Sequence, residues 1–240
     1  MDELDTIQEL SIVQATDASV LFIQEGLRGL NTLSAANDFY QGPLQLLSQG
    51  YEQLMKVVLI LFNYENDGSV PTSRDLKNYG HNLTGLLDTI IQNCRGSGYP
   101  DTCQAAQSDI HFMNHDQFLR ELLTILTDFG EQGRYYYLES IVNPEGDIAK
   151  REDPLNCIYK LEQVVLDNHP EWKDKIDSAE FSGFYSVINK DLTTVLQRLA
   201  RALCRLFTMG PLGGIGKQLT GTISAFLFLS DGQLKIPQLR

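Results

Sequence analysis

From Leu44 to Leu61, apolar residues recur at alternating steps of three and four: Leu44, Leu47, Tyr51, Leu54, Val58 and Leu61. That spacing puts them on one stripe of an α-helix and does not fit the two-residue period of a strand. The stripe then widens. Val57-Val58-Leu59-Ile60-Leu61-Phe62 is apolar on every side, so this segment must be a central helix that other elements enclose. Pro43 suits its first turn, where a missing N–H costs no hydrogen bond, and the pattern carries the helix to about Glu65.

The same period fills most of the chain. Asp17 is a candidate cap for a helix reaching about Leu33, with Val20, Ile23, Leu27 and Leu30 inward. Ser34 to Gln41 is polar and small, and reads as a connection. After the turn cluster at 66–71, Ser73–Tyr79 reads as a short helix ended by Gly80. His81 or Asn82 then opens a helix carrying Leu83, Leu86, Leu87, Ile90 and Ile91. Residues 93–108 lack a period and read as a flexible loop. Asn114 or Asp116 starts a long helix carrying Phe118, Leu122, Ile125, Leu126 and Phe129; Gly130 and Gly133 loosen it before Tyr135–Ile141, and it stops at Asn143-Pro144. Asp153-Pro154 is a cap followed by proline at the first helical position. Ser182 opens a helix to about Phe207, ended by Gly210-Pro211. Residues 223–229 fit a buried helix or a strand, and context favours helix. The expected fold is all-α: an antiparallel helical bundle of seven to eight helices with a C-terminal helical extension. A boundary, if there is one, falls near 143–153 and divides 1–143 from 144–240; the alternative is one unit, 1–240.

Charge and motifs narrow the function. The 240 residues hold 19 basic and 31 acidic side chains, a net charge of −12, which argues against a non-specific nucleic-acid coat. The charge is uneven. Residues 1–66 carry nine acids and two bases, whereas 182–240 carry two acids and seven bases. The acidic MDELDTIQEL start lacks the basic residues of a targeting peptide, and the longest apolar run is too short for a membrane span. A cytoplasmic protein without a membrane partner is therefore expected. Cys94, Cys103, Cys157 and Cys204 have no zinc-site spacing. A Cys94–Cys103 bridge is geometrically conceivable, but nothing else points to an oxidising compartment. His111 and His115 share a helix face without the glutamate of a zinc hydrolase helix, and no metal is expected. The glycine-rich run Gly210–Lys217 fails the phosphate-loop spacing and has Gln218 where the magnesium-binding Ser or Thr would stand. No cofactor is implied.

One block carries a family likeness. Tyr51-Glu52, Lys56 one turn on, an apolar run, a Gly/Pro turn and then Gly80-His81-Asn82-Leu83 resemble the HEPN superfamily, with Asn82 where Asp is common. The likeness covers residues 17–92; the rest continues only as generic helix. It implies an antiparallel bundle, often dimeric, frequent in bacterial defence and toxin–antitoxin systems and often a metal-independent endoribonuclease. The family's catalytic mark is Arg, four to six residues, then His. Here Arg74 and His81 fit, with six residues between them. In this reading His81 takes the 2′-OH proton and Arg74 meets the developing phosphorane charge. The plainer reading makes His81 a helix cap and Arg74 a solvated surface residue.

Other residues have the same two-sided character. Lys56 can pair with Glu52, and also orient a phosphate or a neighbouring loop. Arg134, beside Tyr135, Tyr136 and Tyr137, fits either an RNA-stacking surface or a packed helix junction. Arg198, Arg201 and Arg205 share one stripe, the one concentrated basic face, suited to RNA, an acidic partner or plain solvation. The implied partners are RNA, a second copy or another protein. Two functions follow: a defence- or toxin-type RNA-cleaving protein, or a catalytically silent HEPN-like module acting through protein contacts.

Overall fold

A computed structural model describes residues 4–34, 40–133, 136–143, 153–169, 172 and 183–234. The first helix, α1 (Thr6–Leu30), starts more than three turns before the helix expected after Asp17. Asp5 and Gln8 form a reciprocal capping box, so Asp17 lies inside the helix on its exposed side. The second helix, α2 (Gln41–Asp67), is the apolar rod of the sequence. Fourteen of its residues are buried, Pro43 is in its first turn, and Gly68 closes it in the left-handed conformation.

These two helices pack antiparallel and unusually close, and glycines make this possible. A Cβ on Gly26 would sit 2.6 Å from the Leu47 side chain; one on Gly29 would sit 2.7 Å from Pro43; one on Gly50 would sit 2.8 Å from Ile23 Cγ1 and 3.0 Å from the Ile23 backbone nitrogen. The three contacts run in opposite order along the two helices, which sets the antiparallel direction.

The other elements surround α2. A short helix, α3 (Ser73–Asn78), is capped by Thr72 with Asp75, and Gly80 (φ +65°) turns the chain into α4 (Leu83–Gly96), whose cap is Asn82. Residues 93–108, expected as a loop, are ordered: α4 runs to Gly96, a 3₁₀ turn covers Tyr99–Asp101, and α5 (Gln104–His115) begins after Cys103. The missed anchor is Tyr99, buried with its ring against Gly210. Asp116 ends α5 and caps α6 (Gln117–Asp128), so the single long helix expected from here on begins at that cap. Phe129–Gly133 forms one π turn at the predicted weak point, followed by α7 (Tyr136–Val142).

Pro154 is the first residue of α8 (Pro154–Asn168). Ser182, expected as the next cap, lies outside the described residues; Gly183 (φ +86°) precedes α9 (Phe184–Met209). The tail holds short helices α10 (Gly213–Gln218) and α11 (Ser224–Leu227), settling 223–229 as helix rather than strand. The fold is an all-α helical bundle, with no strand among the described residues. A single apolar core runs from Ile12 of α1 to Phe226 of α11. It is pinned by polar ties: the Tyr51 hydroxyl donates to the Leu196 carbonyl at 2.6 Å, and the Leu83 amide donates to Thr127 Oγ1 at 3.0 Å. Among the described residues no helix is long and apolar enough to cross a membrane.

The α1–α2 contact yields a direct test. Gly50→Ala must push the helices apart and is expected to cost about 1–3 kcal/mol of unfolding free energy in urea titration. Gly96→Ala, where nothing lies within 4 Å of the added carbon, is expected to be neutral or to stabilise by up to about 1 kcal/mol.

Candidate functional site

Glu52 and Lys56 sit one turn apart on α2, on the edge of a helix whose neighbouring positions Tyr51, Leu54 and Met55 are fully buried. Two charged groups on such an element need partners. Lys56 Nζ donates to Glu52 Oε1 at 2.6 Å, and both side chains are about four-fifths buried or more (16% and 22% exposed). The same oxygen lies 2.9 Å from His81 Nδ1. Gly80 and the Asn82 cap bring His81 there, at the turn into α4.

The chemistry of this contact is fixed by its acceptor. A carboxylate oxygen with Lys56 already donating to it can only accept, so Nδ1 of His81 carries the proton. The other ring nitrogen, Nε2, then has its lone pair free to accept a hydrogen bond, and the side chain is 68% exposed. Glu52, Lys56 and His81 thus form one hydrogen-bonded cluster. His81 does not cap α4; Asn82 does, through Gly85 N at 2.9 Å. Nearby, Asn63 Nδ2 donates to the Tyr79 hydroxyl at 3.0 Å, tying the end of α3 to α2.

Arg74 lies on α3, exposed, and enters no hydrogen bond or ion pair among the described residues. The cluster is therefore Glu52–Lys56–His81, and Arg74 is not part of it. Arg134 lies outside the described residues. The three arginines of α9 do not form an open basic face. Arg205 makes a two-pronged bond to Asp109 of α5, at 3.0 and 2.9 Å, and the Asp109 side chain is 3% exposed. Arg201 is 2% exposed; it donates to the Leu229 carbonyl at 2.9 Å and pairs with Asp231 at 2.8 Å. Arg198 stacks its guanidinium 3.9 Å over the Phe112 ring, and its Nε is buried without a partner. The i, i+3, i+7 spacing read as a binding stripe instead faces α5 and the C-terminal turn, because the core needs those carboxylates and carbonyls matched.

Asp109 is the residue that sequence reasoning missed. Its signal was present: an acid between the buried Ala106, Ile110 and Met113 on one helix, but the reading of 93–108 as loop hid the start of that helix. Burial pushes its carboxyl upward, and Arg205 pulls it back down. Among the thiols, burial raises Cys94 to about 12 and Cys204 further, and none of the four cysteines is in a disulfide. His111 and His115 stack with ring centroids 4.7 Å apart, and no cluster of three metal-ligating side chains occurs among the described residues.

No protein-family model, no curated protein and no solved structure matches this chain.

Removing Asp109 strands Arg205 in the interior. Asp109→Ala is expected to cost about 3 kcal/mol in chemical unfolding, whereas Asp88→Ala, which breaks the more exposed Arg120–Asp88 pair, is expected to cost under about 1 kcal/mol.

Proposed function

We propose that this chain is a HEPN-like helical module that acts through contact with another protein, in a system of the bacterial defence or toxin–antitoxin kind. The observation that carries this reading is the outer face of α1. Ile7, Leu10 and Leu21 are 76%, 58% and 53% exposed, and their spacing puts them on the side of α1 opposite its buried residues Ile12, Thr16, Ile23 and Leu30. Single exposed leucines need no explanation, but several along one helix face mark a contact surface. The inward turn of Arg201 and Arg205 also weighs against RNA, since it removes the cations that would hold a phosphate backbone.

A second reading, RNA cleavage, is favoured by one specific contact. Glu52 orients His81 with Nε2 outward, which is the arrangement of a general base awaiting a 2′-OH proton. Arg74, the cation the resemblance assigns to the phosphorane charge, does not join the cluster, and the cation that does, Lys56, is paired to Glu52.

Two measurements separate the readings. Purified protein incubated with total RNA in the absence of metal ions is expected to leave the RNA intact, for wild type and for His81→Ala alike. Cleavage by wild type that disappears in His81→Ala would replace the module with the nuclease. Wild-type protein used as bait in the cells that make it is expected to retain a partner that Leu10→Asp does not. Equal capture by both baits would remove α1 as the contact face.

A further inference from the structure

Of the chain's four histidines, His81 alone combines a carboxylate on Nδ1 with an exposed ring. His111 and His115 are exposed but stack on each other, and neither meets a carboxylate among the described residues. His169 does meet one, Asp191, but through Nε2, and its side chain is only 28% exposed. At His81 the Glu52 carboxylate accepts from Nδ1–H at 2.9 Å, and Nε2 keeps its lone pair on a side chain that is 68% exposed.

The geometry points to His81 as a phosphoryl-accepting histidine whose donor is an acyl phosphate, the mixed anhydride of phosphate and a carboxylic acid. The Nε2 lone pair attacks phosphorus. The P–N bond forms as the bond from phosphorus to the bridging oxygen breaks, and that electron pair leaves with the carboxylate. No proton has to move. Nδ1 keeps its hydrogen, so the ring becomes positively charged once Nε2 is substituted, and Glu52 already lies against that charge. Lys56, 2.6 Å from the same Glu52 oxygen, balances the carboxylate, which therefore orients the ring without repelling an anionic donor. The phosphoryl group adds negative charge beside the Asn82 cap of α4, at the positive end of a 14-residue helix. His81 is the nucleophile and Glu52 a positioning residue; neither the α1 contact face nor RNA cleavage is needed for this step.

The test incubates the full chain at neutral pH with radiolabelled acetyl phosphate. One site is expected to take up label, His81 Nε2, read by peptide mapping and by a nitrogen–proton correlation spectrum of the imidazoles. The label should be lost in acid and kept in base, as a phosphorus–nitrogen bond requires and a phosphoserine or an aspartyl phosphate does not. His111 and His115 are controls within the same molecule and are expected to stay unlabelled. His81→Gln should take up no label and, because the position is exposed, should melt close to wild type by circular dichroism. Glu52→Gln, which removes the charge facing the substituted ring, is expected to label about tenfold more slowly. The concentration dependence distinguishes the donor's source. A rate that levels off as acetyl phosphate is raised supports a free small-molecule donor held by this chain. A rate that rises in proportion supports an aspartyl phosphate presented by another protein. Absence of label, label at Nδ1, equal label on His111 or His115, label that survives His81→Gln, or an unchanged rate in Glu52→Gln overturns the proposal.

Discussion

A helix with no polar side has to be covered on all sides, and the Val57–Phe62 segment of α2 imposes that condition on everything else in this protein. Its cover comes from α1, α4, α6, α9 and α10. The closest of these is α1, which can approach because Gly26, Gly29 and Gly50 leave out the carbons that would hold the two helices apart. At this spacing, the side chains of one helix rest on the backbone of the other. The apolar run explains why a bundle forms, and the glycines explain how tightly its first two helices join.

Several of the polar groups that enter this core are matched to something specific. The Tyr51 hydroxyl reaches a carbonyl in the middle of α9, and burial lifts its titration well above the usual phenol range. Asp109 and Arg205 meet as a two-pronged pair, and Arg201 is closed over by Asp231 and the Leu229 carbonyl. Charges paired in this way add little net stability over well-packed apolar residues, but each is costly to orphan. Their placement fixes α5 and the C-terminal turn onto α9. With Arg201 and Arg205 turned inward, two of the chain's 19 bases are withdrawn from the surface.

The sequence carried most of the helix pattern. The apolar steps of α2, the Asp153-Pro154 start, the Asn82 cap and the weak point at Gly130 all act through neighbours within one turn, so they are visible locally. The misreadings share a cause. The α4–α5 connection looked like loop because Gly96, Ser97, Gly98 and Pro100 are turn residues; its order comes from Tyr99, buried against a residue more than a hundred positions away. The arginine stripe of α9 looked like an open face, for binding or for solvent, because its spacing is that of a surface stripe, and only the position of α5 shows which side it occupies. At the candidate site, the Glu52–Lys56 pair was legible from its spacing. The bond from Glu52 to His81, twenty-nine residues on, depends on how α4 folds back along α2.

The contact between Tyr99 and Gly210 reaches beyond packing. A side chain at 210 would begin 2.5 Å from the Tyr99 ring, so the end of α9 and the turn before α5 are keyed to each other. Neither position is free to change alone: a bulkier residue at 210 calls for a smaller one at 99. Among relatives that share this architecture, these two positions should vary together or not at all, and their joint pattern would be a signature for telling true members from chains that merely have helices of similar length.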